Sequence, residues 1–275
     1  MNLTEIRQTL ASAQISLTKS LGQNFLHDAH QLERIIRAAE LDGSDRVLEI
    51  GPGLGALTQF LVEMAPEILA IEKDKRLYDL LSKRFANRPQ LSLVHADALA
   101  CLRDLGRDWF NWKVISNLPY SVASPILVEL GLGAQAPARM VVTLQLEVAE
   151  RIAATAGQRD YGILSLLLQL QYEPKVLFRI PPGCFFPAPD VDSACLRLVR
   201  KDTVPLRPDQ FPVFKRIVKR SFSQRRKMML KLLRAEWPAD KLGEVFRDLG
   251  ISPQARAETV TLEQFVQLTR VLPGL

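Results

Sequence analysis

The stretch that most constrains the fold is Val47-Leu48-Glu49-Ile50-Gly51-Pro52-Gly53-Leu54-Gly55. Its first four residues form a short, mostly apolar run, which is typical of a buried strand. The glycines that follow allow a tight turn and let the backbone approach a ligand closely. Residues 55–64 are amphipathic and predict a helix directly after the turn. A strand, a glycine-rich turn and a helix in this order indicate a cofactor-binding loop.

Strand-like and helix-like stretches alternate through the first 200 residues. The strand-like runs are 47–50, 68–72, 91–97, 113–117 and 140–144, and the helical stretches include 55–64, 74–85 and 125–132. Two later runs, 176–180 and 194–199, predict an antiparallel pair that closes one edge. We therefore expect an α/β fold with a Rossmann-like, mostly parallel sheet and helices on both faces.

The last quarter of the chain has a different pattern. Pro205 and Pro208 interrupt a polar segment, 201–209, where we place a domain boundary. Beyond it only helical stretches occur, at 211–223, 227–234, 239–249 and 262–272. The expected domains are an α/β domain, 1–204, and a small all-α domain, 205–275.

The bulk composition indicates a globular protein of the cytoplasm. The chain has 275 residues, of which 47% are hydrophobic and 24% are charged. No apolar run is long enough to span a membrane, and the N-terminus lacks a signal-peptide pattern. Cysteines and histidines are few and scattered, with no CxxC pair, so we expect reduced thiols and no metal site. They are Cys101, Cys184, Cys195, His27, His30 and His95. Nothing in the sequence indicates more than a monomer.

Acidic residues at predicted strand ends point to the cofactor. Glu72 lies 21 positions after Gly51, a spacing that suits a carboxylate binding ribose hydroxyls. This alone fits NAD and S-adenosylmethionine (SAM) equally. The glycine spacing is GxGxG and not GxGxxG, and Glu49 would repel a pyrophosphate but attract a sulfonium or ammonium. SAM is therefore favoured. Asp97, after the third strand, could accept from an adenine amino group or cap a helix.

The sequence Asn117-Leu118-Pro119-Tyr120 ends the fourth of the predicted parallel strands. The Asn117 side-chain oxygen and the Leu118 carbonyl could both accept hydrogen bonds from one exocyclic amino group. Pro119 restricts the backbone of Leu118, and Tyr120 offers a ring for stacking. A flipped or unpaired adenine is a substrate of this kind. The alternative is an ordinary strand-end turn, where Asn and Pro are common.

Taken together, the motifs closely resemble the KsgA-type ribosomal RNA adenine dimethyltransferases. They are residues 20–28 (Ser20-Leu21-Gly22-Gln23-Asn24-Phe25-Leu26-His27-Asp28), the 49–55 loop, Glu72-Lys73-Asp74, Asp97, 117–120, 185–194 and 222–227. The resemblance implies a SAM-dependent methyltransferase that dimethylates N6 of two adjacent adenosines near the 3′ end of 16S rRNA. It also implies a role late in small-subunit biogenesis.

The resemblance implies roles for individual residues. The cofactor is expected to contact Gln23, Asn24, Leu26, Glu49, Gly51, Gly53, Glu72, Lys73, Asp97 and Asn117. The target adenine is expected to contact Asn117, Leu118, Tyr120 and Phe185, with Phe185 matching the aromatic ring that stacks on the base.

Positive charge is concentrated at the C-terminus. The net charge is +6, and residues 201–275 carry 15 Lys and Arg against 8 Asp and Glu. Residues 215–234 contain nine basic residues and no acidic one, a pattern that favours docking onto RNA phosphates over a solvated helix face. The predicted RNA-binding residues are Lys215, Arg216, Lys219, Arg220, Arg225, Arg226 and Lys227. The expected partner is the small ribosomal subunit or its precursor.

Three other functions remain open from the sequence. The first is methylation of an adenine of large-subunit rRNA, as in the antibiotic-resistance methyltransferases, which share the Asn-Leu-Pro-Tyr site. The second is a binding protein, either a ribosome-assembly factor or a transcription factor of the related mitochondrial type. The third is DNA adenine methylation, which is disfavoured because nothing resembles a module that reads DNA sequence.

Overall fold

The computed structural model describes residues 1–17, 22–104, 106 and 108–272. The strands are β1 Phe25–Leu26, β2 Arg46–Ile50, β3 Glu67–Glu72, β4 Leu91–His95, β5 Trp112–Asn117, β6 Arg139–Gln145, β7 Tyr172–Ile180, β8 Phe185–Phe186 and β9 Ser193–Arg200. The helices are α1 Leu3–Ser12, α2 Ala29–Ala39, α3 Thr58–Met64, α4 Lys75–Arg84, α5 Ala98–Asp104, α6 Ala123–Gly131, α7 Leu146–Ala153, α8 Ile163–Gln169, α9 Phe211–Ser221, α10 Met229–Leu233, α11 Ala239–Asp248 and α12 Leu262–Val271.

Seven strands form the central sheet, in the order β4-β3-β2-β5-β6-β9-β7. The pairs β4–β3, β3–β2, β2–β5 and β5–β6 are parallel, and β6–β9 is antiparallel. The two late runs of the sequence are neighbours at one edge, as β9 and β7. The Rossmann-like fold class is confirmed. The sequence did not predict the second sheet, in which the two-residue strands β1 and β8 pair antiparallel.

Helix α2 shows how the sequence builds the core. Asp28 caps its N-terminus by accepting from the backbone N–H of Gln31 at 2.9 Å. Leu32, Ile35 and Ala39 recur at helical spacing and pack with Val47 of β2, Ile115 of β5 and other buried residues of the sheet. This packing fixes α2 on one face of the sheet that carries the cofactor loop.

The chain divides into two compact units. The first contains residues 1–130, 135–149 and 175–200, and the second contains 131–134, 150–174 and 201–275. The first unit holds most of the sheet, and the second is built mainly from α8 to α12. No helix within the described ranges is long and apolar enough to cross a membrane.

The second unit extends beyond the predicted segment 205–275 because α8 packs against α9. The hydroxyl of Tyr161 donates to the carbonyl of Val260 at 3.0 Å, and its ring contacts Phe222, which stacks on Phe265. These long-range contacts join residues 150–174 to the C-terminal helices. The assignment of 1–204 and 205–275 as functional domains stays a prediction.

Candidate active site

One cavity of the first unit is formed mainly where parallel strands end. The loops after β2, β3, β4 and β5 all contribute to its wall because the carboxyl ends of parallel strands meet at one edge. All ten predicted cofactor residues line this cavity, together with Leu118 and Tyr120. The first two residues of the motif at 20–28, Ser20 and Leu21, lie outside the described residues.

The glycine-rich loop leaves room at the cavity floor. Gly51 and Gly53 have φ values of +67° and +62°, which side chains rarely adopt. A Cβ atom on Gly53 would lie 3.0 Å from the Phe25 ring, and one on Gly51 would lie 3.3 Å from Cγ of Pro119. Only glycine therefore keeps this turn unstrained and the cradle open.

Glu72 fixes the same loop from the end of β3. Its Oε2 accepts from the backbone N–H of Gly53 at 3.0 Å, and its Oε1 accepts from that of Asp74 at 2.8 Å. Burial raises the pKa of Glu72 above its usual value, although both backbone hydrogen bonds favour the charged form. The carboxylate is thus held rigidly on the cavity wall.

Glu49 is a second buried acid in the lining, only 2% exposed. The hydroxyl of Thr58 donates to its Oε2 at 2.7 Å. Burial, with a smaller contribution from the nearby Glu72, raises the pKa of Glu49 to about 8. A cation in the cavity would favour the charged form, so this pair of acids suits a positively charged ligand.

Asp97 caps a helix and also lies in the cavity wall, so its contact with an adenine amino group stays a prediction that the cap does not exclude. It caps α5 by accepting from the N–H groups of Leu99 and Ala100 at 3.0 and 3.2 Å, and it also lines the cavity. Lys73 donates to its Oδ2 at 2.8 Å, and this hydrogen bond lowers the pKa of Asp97. The cap and the cavity contact therefore coexist on one carboxylate.

Asn117 lies at the end of β5 with its amide fixed from one side. Its Nδ2 donates to the backbone carbonyl of Asn24 at 2.8 Å. Its Oδ1 is buried and has no hydrogen-bond partner among the described residues. The next residue is also held, because the N–H of Leu118 donates to the carbonyl of Thr143 at 3.0 Å. Buried acceptors are rarely left unpaired, so this oxygen is a candidate ligand contact.

The two predicted stacking rings are placed differently. Tyr120 lines the cavity, and its hydroxyl is hydrogen-bonded to the buried Ser193 of β9. Burial raises the pKa of Tyr120, so the phenol stays neutral. Phe185 is 3% exposed, pairs with Leu26 across the small sheet and packs in the core cluster of α2. It is not among the described residues that line the cavity, and its stacking role stays a prediction.

Several residues that contribute to the cavity were not identified from the sequence. Met1 and Ile6 of the N-terminal segment line it, as does Leu77 of α4. A usable signal was present, since Asn2 and Glu5 form a capping box before an apolar i,i+4 pair, Ile6 and Leu10.

The predicted RNA-binding residues lie in the second unit, on α9 and the turn that follows. Arg216 and Arg220 are both engaged by Glu236, at 2.5 and 3.6 Å, and Arg225 donates to the carbonyl of Arg159 at 3.1 Å. Over the described ranges, no ion pair or side-chain hydrogen bond engages the remaining four. These are Lys215, which is half-buried, and Lys219, Arg226 and Lys227, which are exposed.

Known proteins are similar to this chain over nearly its whole length. The family model described as ribosomal RNA adenine dimethylase matches residues 15–273. Ribosomal RNA small subunit methyltransferase A of Geobacter metallireducens is 39% identical, covering 95% of this chain and 97% of its own length. The protein of the same name from Geobacillus kaustophilus is 38% identical, covering 94% and 92%.

Two solved structures are similar to this chain in fold over most of its length. A dimethyladenosine transferase from Plasmodium falciparum has a TM-score of 0.75 at 25% identity, covering 89% of this chain and 95% of its own. The 23S rRNA methyltransferase ErmE has a TM-score of 0.67 at 26% identity, covering 90% and 99%. The KsgA-type resemblance is confirmed, and the chain belongs to the ribosomal RNA adenine dimethylase family.

Proposed function

We propose that this chain transfers methyl groups from SAM to N6 of two adjacent adenosines near the 3′ end of 16S rRNA, late in small-subunit assembly. Membership of its family makes it an rRNA adenine dimethyltransferase. The small-subunit target is supported by near full-length relatives that carry the name ribosomal RNA small subunit methyltransferase A. The observation that carries the site assignment is the buried Oδ1 of Asn117 on the cavity wall, which finds no hydrogen-bond partner in the described part of the chain.

The cavity residues fit SAM in charge and shape. The glycine cradle admits close backbone approach, and the acids Glu49, Glu72 and Asp97 favour a cation. Glu72 would hold the ribose hydroxyls and Asp97 the adenine amino group, while Gln23, Asn24, Leu26 and Lys73 complete the wall. When bound, SAM supplies an electrophilic methyl group on its sulfonium.

Asn117 and Leu118 would activate the target nitrogen by positioning it. Adenine N6 is a poor nucleophile because its lone pair is delocalised into the ring. Two acceptors, Oδ1 of Asn117 and the carbonyl of Leu118, would hold the amino hydrogens and favour a pyramidal nitrogen with its lone pair free. Such catalysis depends on position and electrostatics and needs no strong base. The methylated nitrogen then loses a proton to solvent, so only one N–H remains and the second transfer should depend differently on Asn117.

Tyr120 would stack on the target base from within the cavity. Its hydroxyl is anchored to Ser193, so the ring position is set before the base enters. A base stack on an aromatic ring contributes about 1–3 kcal/mol. A second ring from Phe185 would require that buried side chain to move towards the cavity.

The basic residues 215–227 would dock a monomer of the protein onto phosphates of the small subunit. Lys219, Arg226 and Lys227 are exposed and carry no competing ion pair over the described ranges, so they are the strongest candidates. Arg216 and Arg220 share Glu236 and would have to exchange that partner for a phosphate.

The deciding experiment offers labelled SAM with small subunits, large subunits and naked rRNA, followed by nucleoside analysis. Dimethyladenosine in the small subunit alone supports the proposal. Label in large-subunit rRNA would instead assign the chain to the resistance type, which the fold shared with ErmE makes the relevant alternative. Binding of SAM with no transfer to any of the three would favour a binding protein.

A further inference from the structure

The N-terminal cap, defined as residues 1–17, covers part of the proposed cofactor cavity. Met1 and Ile6 line the cavity, and Ile6 packs with Leu10, Ile15 and Leu77 in one hydrophobic cluster. That cluster also contains Leu54 of the glycine-rich loop and Phe25, whose ring lies against Gly53. The cap therefore touches the same loop that forms the floor of the cavity.

Arg76 joins the cap to the wall of the cavity. Its Nη1 donates to the backbone carbonyl of Ser16 at 2.9 Å. Its Nε and Nη2 donate to the two carboxylate oxygens of Asp74 at 2.9 and 2.6 Å. One guanidinium thus contacts both the end of the N-terminal cap and the side chain of Asp74, which follows the C-terminal end of β3.

Asp74 passes this restraint on to residues that line the cavity. Its side chain is 4% exposed, and its Oδ2 accepts from Nε2 of Gln23 at 3.0 Å. Its backbone N–H donates to Glu72. Neither Arg76 nor Asp74 is among the described residues of the lining, but Gln23 and Glu72 are. Among the described residues, Arg76 therefore reaches the cavity wall through Asp74, which contacts Gln23 and Glu72.

We infer that Arg76 is a positioning residue for cofactor binding, which holds the N-terminal cap closed through Ser16 and fixes Gln23 through Asp74. The inference rests on the proposed use of SAM in this cavity. Removing Arg76 leaves the nearly buried carboxylate of Asp74 without its cation. Asp74 must then satisfy its charge with Gln23 and water, which disturbs the position of Gln23. It also frees the Ser16 end of the cap, so the free protein becomes less ordered and binding must restore that order.

An arginine is required because three donors point in fixed directions. A guanidinium can bind a carboxylate with two parallel N–H groups and still donate a third, whereas an ammonium acts as a compact point charge. Arg76→Lys should therefore keep the attraction to Asp74 but lose the contact with Ser16. Its dissociation constant for SAM is expected to lie between that of the wild type and that of Arg76→Met.

The test measures the dissociation constant of SAM by calorimetry on the full chain. Arg76→Met is expected to weaken binding by about tenfold, the equivalent of one charge-assisted hydrogen bond. The matched control is Lys75→Met, which removes the exposed ion pair with Asp79 from the same helical turn and should leave the dissociation constant unchanged. The KM for SAM should rise with the dissociation constant while kcat at saturation stays within about twofold.

Amide hydrogen exchange supplies a second readout that does not use the cofactor. Exchange in α1 should become faster in Arg76→Met and not in Lys75→Met, because only the former frees the cap. If Arg76→Met does not fold, Arg76→Lys keeps a cation beside Asp74 and should show the same two effects at smaller size.

Two failures are distinguishable. A wild-type chain that does not bind SAM would contradict the proposed function. A wild-type chain that binds SAM, with unchanged affinity and unchanged α1 exchange in Arg76→Met, would overturn the positioning role alone. Faster α1 exchange in Arg76→Met or Arg76→Lys with unchanged affinity would equally exclude the cap from cofactor binding.

Discussion

The side-chain amide of Asn117 donates to the backbone carbonyl of Asn24 at 2.8 Å, although the two residues are 93 positions apart. An amide side chain carries its donor and its acceptor on opposite sides, so this bond fixes which side the acceptor occupies. The acceptor Oδ1 is the atom left without a partner among the described residues. The motif at 22–28 thus orients the residue proposed to hold the target amino group.

Replacing Asn117 is expected to separate catalysis from folding. Asn117→Ala removes the Oδ1 acceptor and should lower kcat by at least about 100-fold, the range found for loss of one positioned transition-state contact. Binding of SAM should change little, because Asn117 contributes one of many cavity contacts. The chain should stay folded, with a free energy of unfolding lower by about 1 kcal/mol because the Asn24 carbonyl loses its donor. Methyl transfer to unmodified small subunits measures the effect. Asn87→Ala, at an exposed turn, is the matched control. Turnover like that of the wild type in Asn117→Ala would remove Asn117 from the site.

The ring and the hydroxyl of Tyr120 can be tested separately. Tyr120→Ala removes the proposed stack and should reduce kcat/KM for the RNA by about 5- to 150-fold, from 1–3 kcal/mol of lost stacking. Tyr120→Phe keeps the ring but leaves the buried Ser193 hydroxyl without its partner. We expect near-normal transfer in Tyr120→Phe and a free energy of unfolding lower by about 1–3 kcal/mol. If the two variants lose equal activity, the hydroxyl matters more than the stack.

Much of the fold could be predicted because periodicity reports which residues are buried. The run 113–117 was predicted as a strand, and β5 spans Trp112–Asn117; the stretch 239–249 was predicted as a helix, and α11 spans Ala239–Asp248. The strand-end acids could be placed together for a similar reason, since parallel strands bring their carboxyl ends to one edge.

Long-range contacts account for what the sequence did not predict. The burial of Phe185 depends on pairing between two-residue strands, β1 and β8, which have no periodic signal of their own. The place of residues 150–174 in the second unit depends on tertiary contacts such as that of Tyr161 with Val260. The contact of the N-terminal cap, residues 1–17, with the cavity was not predicted. A capping box predicts where a helix begins but not which cavity the helix covers.

The raised pKa of Glu49 predicts a loss of stability as the pH rises. The ordinary value is 4.5 and the folded value is about 8, so between these the folded state binds more protons than the unfolded state. The free energy of unfolding contributed by this group is therefore highest below 4.5 and falls as the pH rises towards 8. The slope is at most about 1.4 kcal/mol per pH unit.

Glu49→Gln isolates this effect because glutamine has no proton to lose. The stability of the variant relative to the wild type should increase between about pH 5 and about pH 8 in the cofactor-free protein. Urea unfolding at several pH values measures the difference. Glu63→Gln makes the same chemical change at an exposed acid of α3 that pairs with Arg88, and it is the matched surface control. A constant difference for Glu49→Gln would show that the carboxyl is already charged in the folded state.

Charge reversal in the basic segment tests rRNA docking. Arg225→Glu combined with Arg226→Glu should weaken binding to small subunits and lower the dependence of log affinity on log salt by about 2, since each lost phosphate contact contributes about 0.9. Lys241→Glu combined with Arg247→Glu makes the same change in net charge on exposed positions of α11. If the position of the charges matters, and not only their total, this control should keep the salt dependence of the wild type. The measurement is the affinity of the wild type and both double variants for small subunits across a salt series. Equal slopes for the wild type and for the variant changed at Arg225 and Arg226 would place the docking surface elsewhere.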